Sequence, residues 1–121
     1  MELQKLPYQL SVCKVSDLGN IGDFGELVFV GKTDEELSLV CETAFAPADA
    51  LEREDGWRAF RICGVLDFSL IGILSKIATA LADAGIGIFA VSTFNTDYIL
   101  VKQESFTEAE AALAAAGYTI V

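Results

Sequence analysis

Residues 70–102, LIGILSKIATALADAGIGIFAVSTFNTDYILVK, decide the fold of this chain. Residues 70–84 are apolar except for one narrow stripe at helical spacing, which predicts a helix buried over most of its circumference. The stripe consists of Ser75, Lys76, Thr79 and Asp83. Gly85 can take the left-handed conformation that often follows a helix end. Residues 88–94 and 98–102 then predict two strands joined by a tight turn.

The residues on either side of this stretch predict the remaining strands and helix of the second half. Residues 57–66 form a long, mostly apolar stretch typical of a strand, and residues 118–121 predict a last strand. Ser105, with Glu108 three residues later, forms a capping box that opens a helix. The predicted inward face of that helix is Phe106, Ala109, Leu113 and Ala116. Residues 57–121 therefore predict a β-α-β-β-α-β order, the ferredoxin-like α+β plan with helices on one face of an antiparallel sheet.

The first half follows the same plan less completely. Residues 8–15 predict a strand, and residues 26–32 and 36–41 predict a hairpin. Residues 16–25, which contain three glycines and two aspartates, predict a loop where the first helix would stand. Residues 43–55 predict a loop or a short helix. The first half therefore has the pattern of a degraded repeat.

These patterns predict two modules in tandem, a degenerate one over residues 1–56 and a complete one over residues 57–121. In a chain of 121 residues, neither half could bury much apolar surface alone, so we expect the halves to share a sheet or to pack face to face. The composition, 53% hydrophobic and 21% charged, suits a packed globular core.

The charge balance limits the partners. The chain has 18 acidic and 8 basic residues, a formal charge of −10, and no cluster of basic residues. Because a phosphate backbone would be repelled, we do not expect nucleic acid as a partner. No apolar run approaches the ~20 residues needed to cross a bilayer, and residues 1–5 lack the pattern of a secretory signal. We therefore expect a cytoplasmic protein without a membrane partner.

The residue inventory also limits catalysis and metal binding. The chain has no histidine, which excludes Ser-His-Asp and Cys-His nucleophile arrangements, and it has no phosphate-loop motif. Its three cysteines lie far apart in apolar, strand-like stretches and form no C-x-x-C pair. We therefore predict no metal site, no cofactor and no catalytic residue. We expect buried, reduced thiols at Cys13, Cys41 and Cys63.

Two loops contain the residues that are candidates for binding a ligand. The first, residues 66–72, leads from a strand into a helix, where backbone N–H groups and the helix dipole can hold a carboxylate without a basic side chain. Gly72 in the first turn would let a ligand or another backbone approach closely. The alternative is structural: Asp67 or Ser69 is an N-cap, and Gly72 is a packing residue.

The second loop, residues 92–98, has the sequence STFNTDY. Asp97 opens a strand after a hairpin turn, where its carboxylate could receive an ammonium or another cationic group. The alternative is ordinary turn chemistry, because Asn, Thr and Asp favour turns in general.

These stretches resemble a known family. Residues 66–78, LDFSLIGILSKIA, are similar to the first loop and helix of ACT domains. Residues 92–101, STFNTDYILV, resemble the signature of a subgroup that includes the cytosolic arginine sensors of animals, the regulatory ACT domains of aspartate kinases and small bacterial tandem-ACT proteins. Residues 36–41 and 57–61 are also similar to the small bacterial members.

The resemblance implies a regulatory protein that binds an amino acid or a similar small molecule between two modules and has no catalytic activity. Asp97 matches the family's acidic residue that meets the amino group or cationic end of the ligand, and Phe94 and Thr96 flank it. The positions that match the loop around the ligand carboxylate are Ser69, Leu70, Ile71 and Gly72.

One position departs from the arginine sensors, which have an acidic residue near Leu70, whereas this chain is apolar there. A smaller or less polar amino acid therefore fits as well as arginine. The first half lacks an intact copy of the loop, so a second chain would complete the site, and we expect a homodimer. Two other hypotheses stay open: a structural or dimerisation module that binds a partner protein and has lost its ligand, or an enzyme that uses Asp67 and Asp97 as acid and base.

Overall fold

The computed structural model describes residues 1–65 and 71–121. Within them, the strands are β1 (Glu2–Lys5), β2 (Leu10–Lys14), β3 (Phe29–Lys32), β4 (Leu37–Glu42), β5 (Glu52–Ile62), β6 (Phe89–Ser92), β7 (Asp97–Lys102) and β8 (Thr119–Ile120). The α-helices are α1 (Ile73–Asp83) and α2 (Phe106–Ala115). The chain forms two compact units: a continuous unit, Tyr8–Trp57, and a two-segment unit, Met1–Pro7 with Arg58–Val121.

The two-segment unit contains a mixed sheet in the order β6-β7-β5-β1-β8. Strand β1 pairs antiparallel with β5, and β6 pairs antiparallel with β7. The last strand, β8, pairs in parallel with β1. The predicted all-antiparallel sheet is therefore wrong at this edge, because the first strand of the chain lies beside β5 and the last strand lies beyond it.

Strand β1 was not predicted, because Leu3 is the single apolar residue among residues 2–5. Leu3 is fully buried and lies opposite Ile62 of β5. Residues 1–7 therefore belong to the same unit as the second half of the chain, whereas the prediction placed them with residues 8–56. The other predicted boundary, after residue 56, lies one residue from the break between Trp57 and Arg58.

Both helices of the two-segment unit pack against one core. Its buried residues are Leu3, Phe60, Ile62, Ile77, Leu81, Ile86, Ile99, Val101, Phe106, Ala109 and Leu113. The predicted polar stripe of α1 is exposed, but Ile77 and Leu81 are its two fully buried residues, so this helix is less buried than predicted. Helices on one face of a sheet are the expected α+β arrangement.

Helix α2 differs from its prediction at both ends. It begins at Phe106 as expected, but the side chain of Ser105 makes no capping hydrogen bond, so the predicted capping box is not formed. Ala116, predicted to face inward, is exposed because the helix ends at Ala115. Gly117, with φ of 100°, follows in the conformation that suits glycine at a helix end.

The continuous unit has the strand order β3-β4-β2-β5, with every pair antiparallel. Its core consists of Cys13, Val15, Phe24, Leu39 and Cys41. A short 3₁₀ helix, Ile21–Phe24, lies in the stretch that replaces a first helix. Residues 52–55 belong to β5 rather than to the predicted loop or short helix. Pairing with β2 therefore outweighs the low strand preference of their charged side chains.

The hairpin β3–β4 of the continuous unit repeats the hairpin β6–β7 of the two-segment unit. Every paired position in the second lies 60 residues after its counterpart in the first, from Phe29 opposite Val40 and Phe89 opposite Leu100 onward. The burial patterns of β4 and β7 are the same, and a 3₁₀ helix follows each. The two hairpins therefore share their register, the burial pattern of their second strands and the 3₁₀ helix that follows.

Candidate functional site

The turn between β6 and β7 is closed by two threonines. The Thr93 N–H and the Thr93 hydroxyl both donate to the carbonyl oxygen of Thr96, each at 2.9 Å. The Thr96 N–H lies 3.4 Å from the Thr93 hydroxyl oxygen. Threonine hydroxyls close turns in this way by satisfying nearby backbone groups. The turn therefore has a defined shape, and the strands on either side place Ser92 opposite Asp97.

Thr96 is one of two buried polar residues among those the structure describes, with 5% of its surface exposed. Its hydroxyl donates a hydrogen bond of 2.8 Å to the carbonyl oxygen of Ile62, the last residue of β5. A buried hydroxyl requires such a partner to offset its lost hydration. The predicted ligand contact at Thr96 therefore has its hydroxyl engaged by the protein itself.

Asp97 and Phe94 are both less buried than Thr96. Asp97 is the first residue of β7 and is half-buried, so its carboxylate is positioned by the strand and remains within reach of solvent. Phe94 is 78% exposed, which excludes it from the core. A carboxylate three residues from an exposed aromatic ring can receive an ammonium group and cover an apolar side chain.

The start of α1 differs from the prediction. The helix begins at Ile73 rather than at residue 70, and Gly72 is its N-cap, with φ of 78° and no side chain to cap the helix. No acidic residue lies in the first helical turn, and the first backbone N–H groups of a helix lack partners within it. Among the described residues, no side chain caps this helix end, and the expected carboxylate contact there stays a prediction.

Three further predicted contacts lie before this glycine, and the structure describes one of them, Ile71. Ile71 is 93% exposed, and no heavy atom of the described residues lies within 4 Å of where a Cβ on Gly72 would stand. Ser69 and Leu70 lie outside the described residues. The structure therefore gives positions for five of the seven predicted ligand contacts, three of them on one turn.

Sequence reasoning missed the backbone oxygen of Ile62. A carbonyl group gives no signal in a sequence pattern, and Thr96 and Ile62 are separated by 34 residues. Through this bond the turn is attached to the end of β5, from which residues 63–72 lead to α1.

The continuous unit contains a separate polar cluster. Ser11, which is fully buried, hydrogen bonds to Asp55 Oδ1 and lies 2.9 Å from the hydroxyl oxygen of Thr43. Arg53 Nε donates to the same Asp55 oxygen at 2.7 Å, and this bond raises the pKa of Arg53. With its hydroxyl bonded to a carboxylate that is already paired with a guanidinium, and with no histidine in the chain, Ser11 is a structural residue rather than a nucleophile.

The three cysteines are free. Burial raises the pKa of Cys13, and it raises the pKa of Cys41 to about 11, so both thiols stay protonated at neutral pH. Cys13 lies opposite Leu39 and Cys41 lies opposite Ser11, so the two sulfurs are diagonal neighbours rather than a facing pair. Cys63 is half-buried, which corrects the expectation that all three would be buried.

Residues 1–65 and 71–121 contain no group of three or more Cys, Asp or Glu side chains placed to hold a metal ion. Neither described helix has the length and apolar run that a membrane span requires. A shallow surface depression in the two-segment unit is lined by Thr107, Glu110, Ala111, Ala114 and Ile120, none of which is a predicted site residue.

Comparison with known families gives one match over more than half of the chain. Residues 52–115 match the model of the ACT domain family. This range includes all of β5, both helices and the hairpin with Phe94, Thr96 and Asp97. No curated protein matches the chain.

Comparison with solved structures gives similar folds over nearly the whole chain. A crystal structure of an Agobacterium tumefaciens protein is 32% identical, with a TM-score of 0.89 over 99% of this chain and 91% of that one. A Vibrio cholerae protein of unknown function, described as a possible transport protein, is 24% identical, with a TM-score of 0.77 over 93% and 86%. The ligand-free regulatory subunit of aspartate kinase from Thermus thermophilus is 13% identical, with a TM-score of 0.66 over 97% of each chain.

Proposed function

Because the chain belongs to the ACT-domain family and resembles the regulatory ACT modules of aspartate kinases, we propose that it is a regulatory protein that binds an amino acid or a similar small molecule. We propose further that it has no catalytic activity of its own. The observation that carries the proposal is the β6–β7 turn region, where a half-buried Asp97 follows an exposed Phe94 by three residues.

The two ends of an amino acid suit the two predicted contact regions. The Asp97 carboxylate supplies a partner for the α-ammonium group. The uncapped start of α1 after Gly72, together with the predicted contacts at Ser69, Leu70 and Ile71, supplies N–H groups for the α-carboxylate. Because Leu70 is apolar where the arginine sensors have an acidic residue, a small or less polar amino acid fits the proposed site as well as arginine does.

The repeated hairpin supports the tandem arrangement. The turn of the continuous unit has Leu37 where the two-segment unit has Asp97, and Asp34 where it has Phe94. The continuous unit therefore lacks the groups proposed to bind the ligand, and we propose that a second copy of the chain completes the site in a cytoplasmic homodimer.

A thermal-shift screen of the standard amino acids at millimolar concentration tests the proposal. We expect one amino acid to raise the melting temperature of the natural chain, because a ligand that binds the folded state stabilises it. Asp97→Ala should abolish that rise. Asp34→Ala is the matched control, because it removes one carboxylate from the corresponding turn of the other hairpin and should leave the rise intact. The absence of a shift with every amino acid would contradict the proposal.

A second candidate function is favoured by the exposed apolar side chains of the two-segment unit. Val65, Ile71 and Phe94 are exposed by 74%, 93% and 78%. Such residues are typical of interaction surfaces when they lie together. A module that dimerises or binds a partner protein after losing its ligand would remain dimeric at all concentrations tested and would be indifferent to every amino acid in the screen.

A further inference from the structure

The two repeated hairpins allow the role of Thr96 to be separated from the formation of its turn. In the hairpin β3–β4, the Thr33 N–H donates to the carbonyl oxygen of Glu36 at 3.0 Å, and the Glu36 N–H donates to the Thr33 hydroxyl at 3.2 Å. These bonds correspond to those between Thr93 and Thr96. The same turn therefore forms with glutamate at the position that corresponds to Thr96.

The side chains at this position have different surroundings. Glu36 is exposed, whereas Thr96 is 5% exposed and its hydroxyl donates to the carbonyl oxygen of Ile62 at 2.8 Å. Because the turn closes without such a bond in the other hairpin, the Thr96–Ile62 bond is not needed to form it. What the bond adds is an attachment of the turn to the last residue of β5.

This attachment fixes the part of the proposed site that contains Asp97. Asp97 directly follows Thr96, and residues 63–72 directly follow Ile62 on the way to α1. Fixing Thr96 to Ile62 therefore fixes the Asp97 carboxylate relative to the end of β5. A displacement of about 1 Å between groups that hold opposite ends of a ligand is enough to weaken its binding.

We infer that Thr96 is a positioning residue: its hydroxyl holds the Asp97 carboxylate at a fixed position relative to the end of β5, and the proposed ligand requires that position. This role rests on the proposed function. It assigns Thr96 to the support of the site and leaves direct ligand contact to its neighbours.

Thr96→Val and Thr96→Ser test the role, because the first removes the hydroxyl at nearly constant volume and the second retains it. The probe is whichever standard amino acid raises the melting temperature of the natural chain, and each variant is compared with its own ligand-free melting temperature over a series of concentrations. We expect Thr96→Val to weaken binding about tenfold, the factor that corresponds to one lost hydrogen bond. Thr96→Ser should bind within about twofold of the natural chain.

Thr33→Val is the matched control in the other hairpin. It removes the hydroxyl that accepts from Glu35 and Glu36, so it should lower the melting temperature while leaving affinity unchanged. If an amino acid raises the melting temperature of the natural chain and Thr96→Val binds it with equal affinity, the positioning role is wrong and the proposed function stands. A natural chain that responds to none would overturn the proposed function and the role with it.

Amide hydrogen exchange of the ligand-free protein provides a readout that does not depend on a ligand. The Thr93 N–H, which donates to the Thr96 carbonyl oxygen, should exchange faster in Thr96→Val than in Thr96→Ser, because the turn is no longer attached to β5. Equal exchange in both variants and in the natural chain would show that the hydroxyl does not hold the turn.

Discussion

The N–H of Lys5 donates a hydrogen bond of 2.9 Å to the carbonyl oxygen of Val121, so the fifth residue of the chain is held by the last. The Val121 N–H returns a bond of 2.8 Å to the carbonyl oxygen of Leu3. On its other side, β1 pairs with β5 through Leu3, Gln4 and Lys5. The N-terminal strand is therefore an interior strand of the two-segment unit. Among the described strands, β1 is the one with which β8 pairs.

Leu3→Ala should destabilise the protein by about 2–5 kcal/mol, because it removes a fully buried side chain from the core shared with both helices. Urea denaturation measures the change. Glu2→Ala, on the same strand but exposed, is the control and should change the free energy of unfolding by less than about 0.5 kcal/mol. Similar effects of the two substitutions would contradict an interior position for β1.

The sequence predicted the second half of the fold well because its elements are long and strongly patterned. The helices near residues 73–83 and 106–115 and the hairpin near Asp97 follow from periodicity and turn residues. Strand β1 could not be predicted, because its four residues pair with strands that lie far away in the sequence. The charged start of β5 escaped prediction for the same reason, since pairing with β2 decides its conformation.

The sequence pattern alone indicated the turn and the place of Asp97 at the start of a strand. Phe94 was named as a ligand contact through the resemblance to the family, and both contacts stay predictions. The hydrogen bond from the Thr96 hydroxyl to Ile62 could not be predicted, because the acceptor is a backbone oxygen on another strand. The left-handed Gly72 at the helix start is a backbone property, and the sequence favoured a helix that already included this residue.

Gly72→Ala should destabilise the protein by about 1–2 kcal/mol, because a φ of 78° is unfavourable for a residue with a Cβ. Space is not the reason, since no described heavy atom lies within 4 Å of the added Cβ. Gly87→Ala is the control: its surroundings are equally open, but its φ is not positive, so it should be neutral or slightly stabilising. Thermal unfolding of both variants measures the difference, and equal effects would contradict the left-handed conformation.

Ser11→Ala should destabilise the protein by about 1–3 kcal/mol, because Thr43 loses a buried hydrogen-bond partner and Asp55 loses one of its donors. Asp55 keeps its bond from Arg53, which limits the loss. Ser16→Ala, at an exposed position nearby in the sequence, should leave the free energy of unfolding unchanged. A neutral Ser11→Ala would mean that the cluster contributes nothing to stability.

Stability should fall as the pH rises above about 9, because the thiol of Cys41 titrates at different pH in the folded and unfolded chains. Burial raises its pKa from the usual 9.0 to about 11, so the unfolded chain loses this proton first. The resulting stabilisation is fully present below pH 9 and is lost as the pH rises through 11. The pKa of Cys13 is also raised, so it acts in the same direction.

Urea midpoints measured between pH 8 and 11 for the natural chain and for Cys41→Ala test this dependence. Cys41→Ala should be less stable at pH 8, because it leaves a small cavity, but its stability should fall less steeply with pH. The remaining slope belongs to Cys13 and to the other groups that titrate in this range, which are common to both chains. Parallel curves for the natural chain and Cys41→Ala would show that the buried thiol does not couple folding to pH.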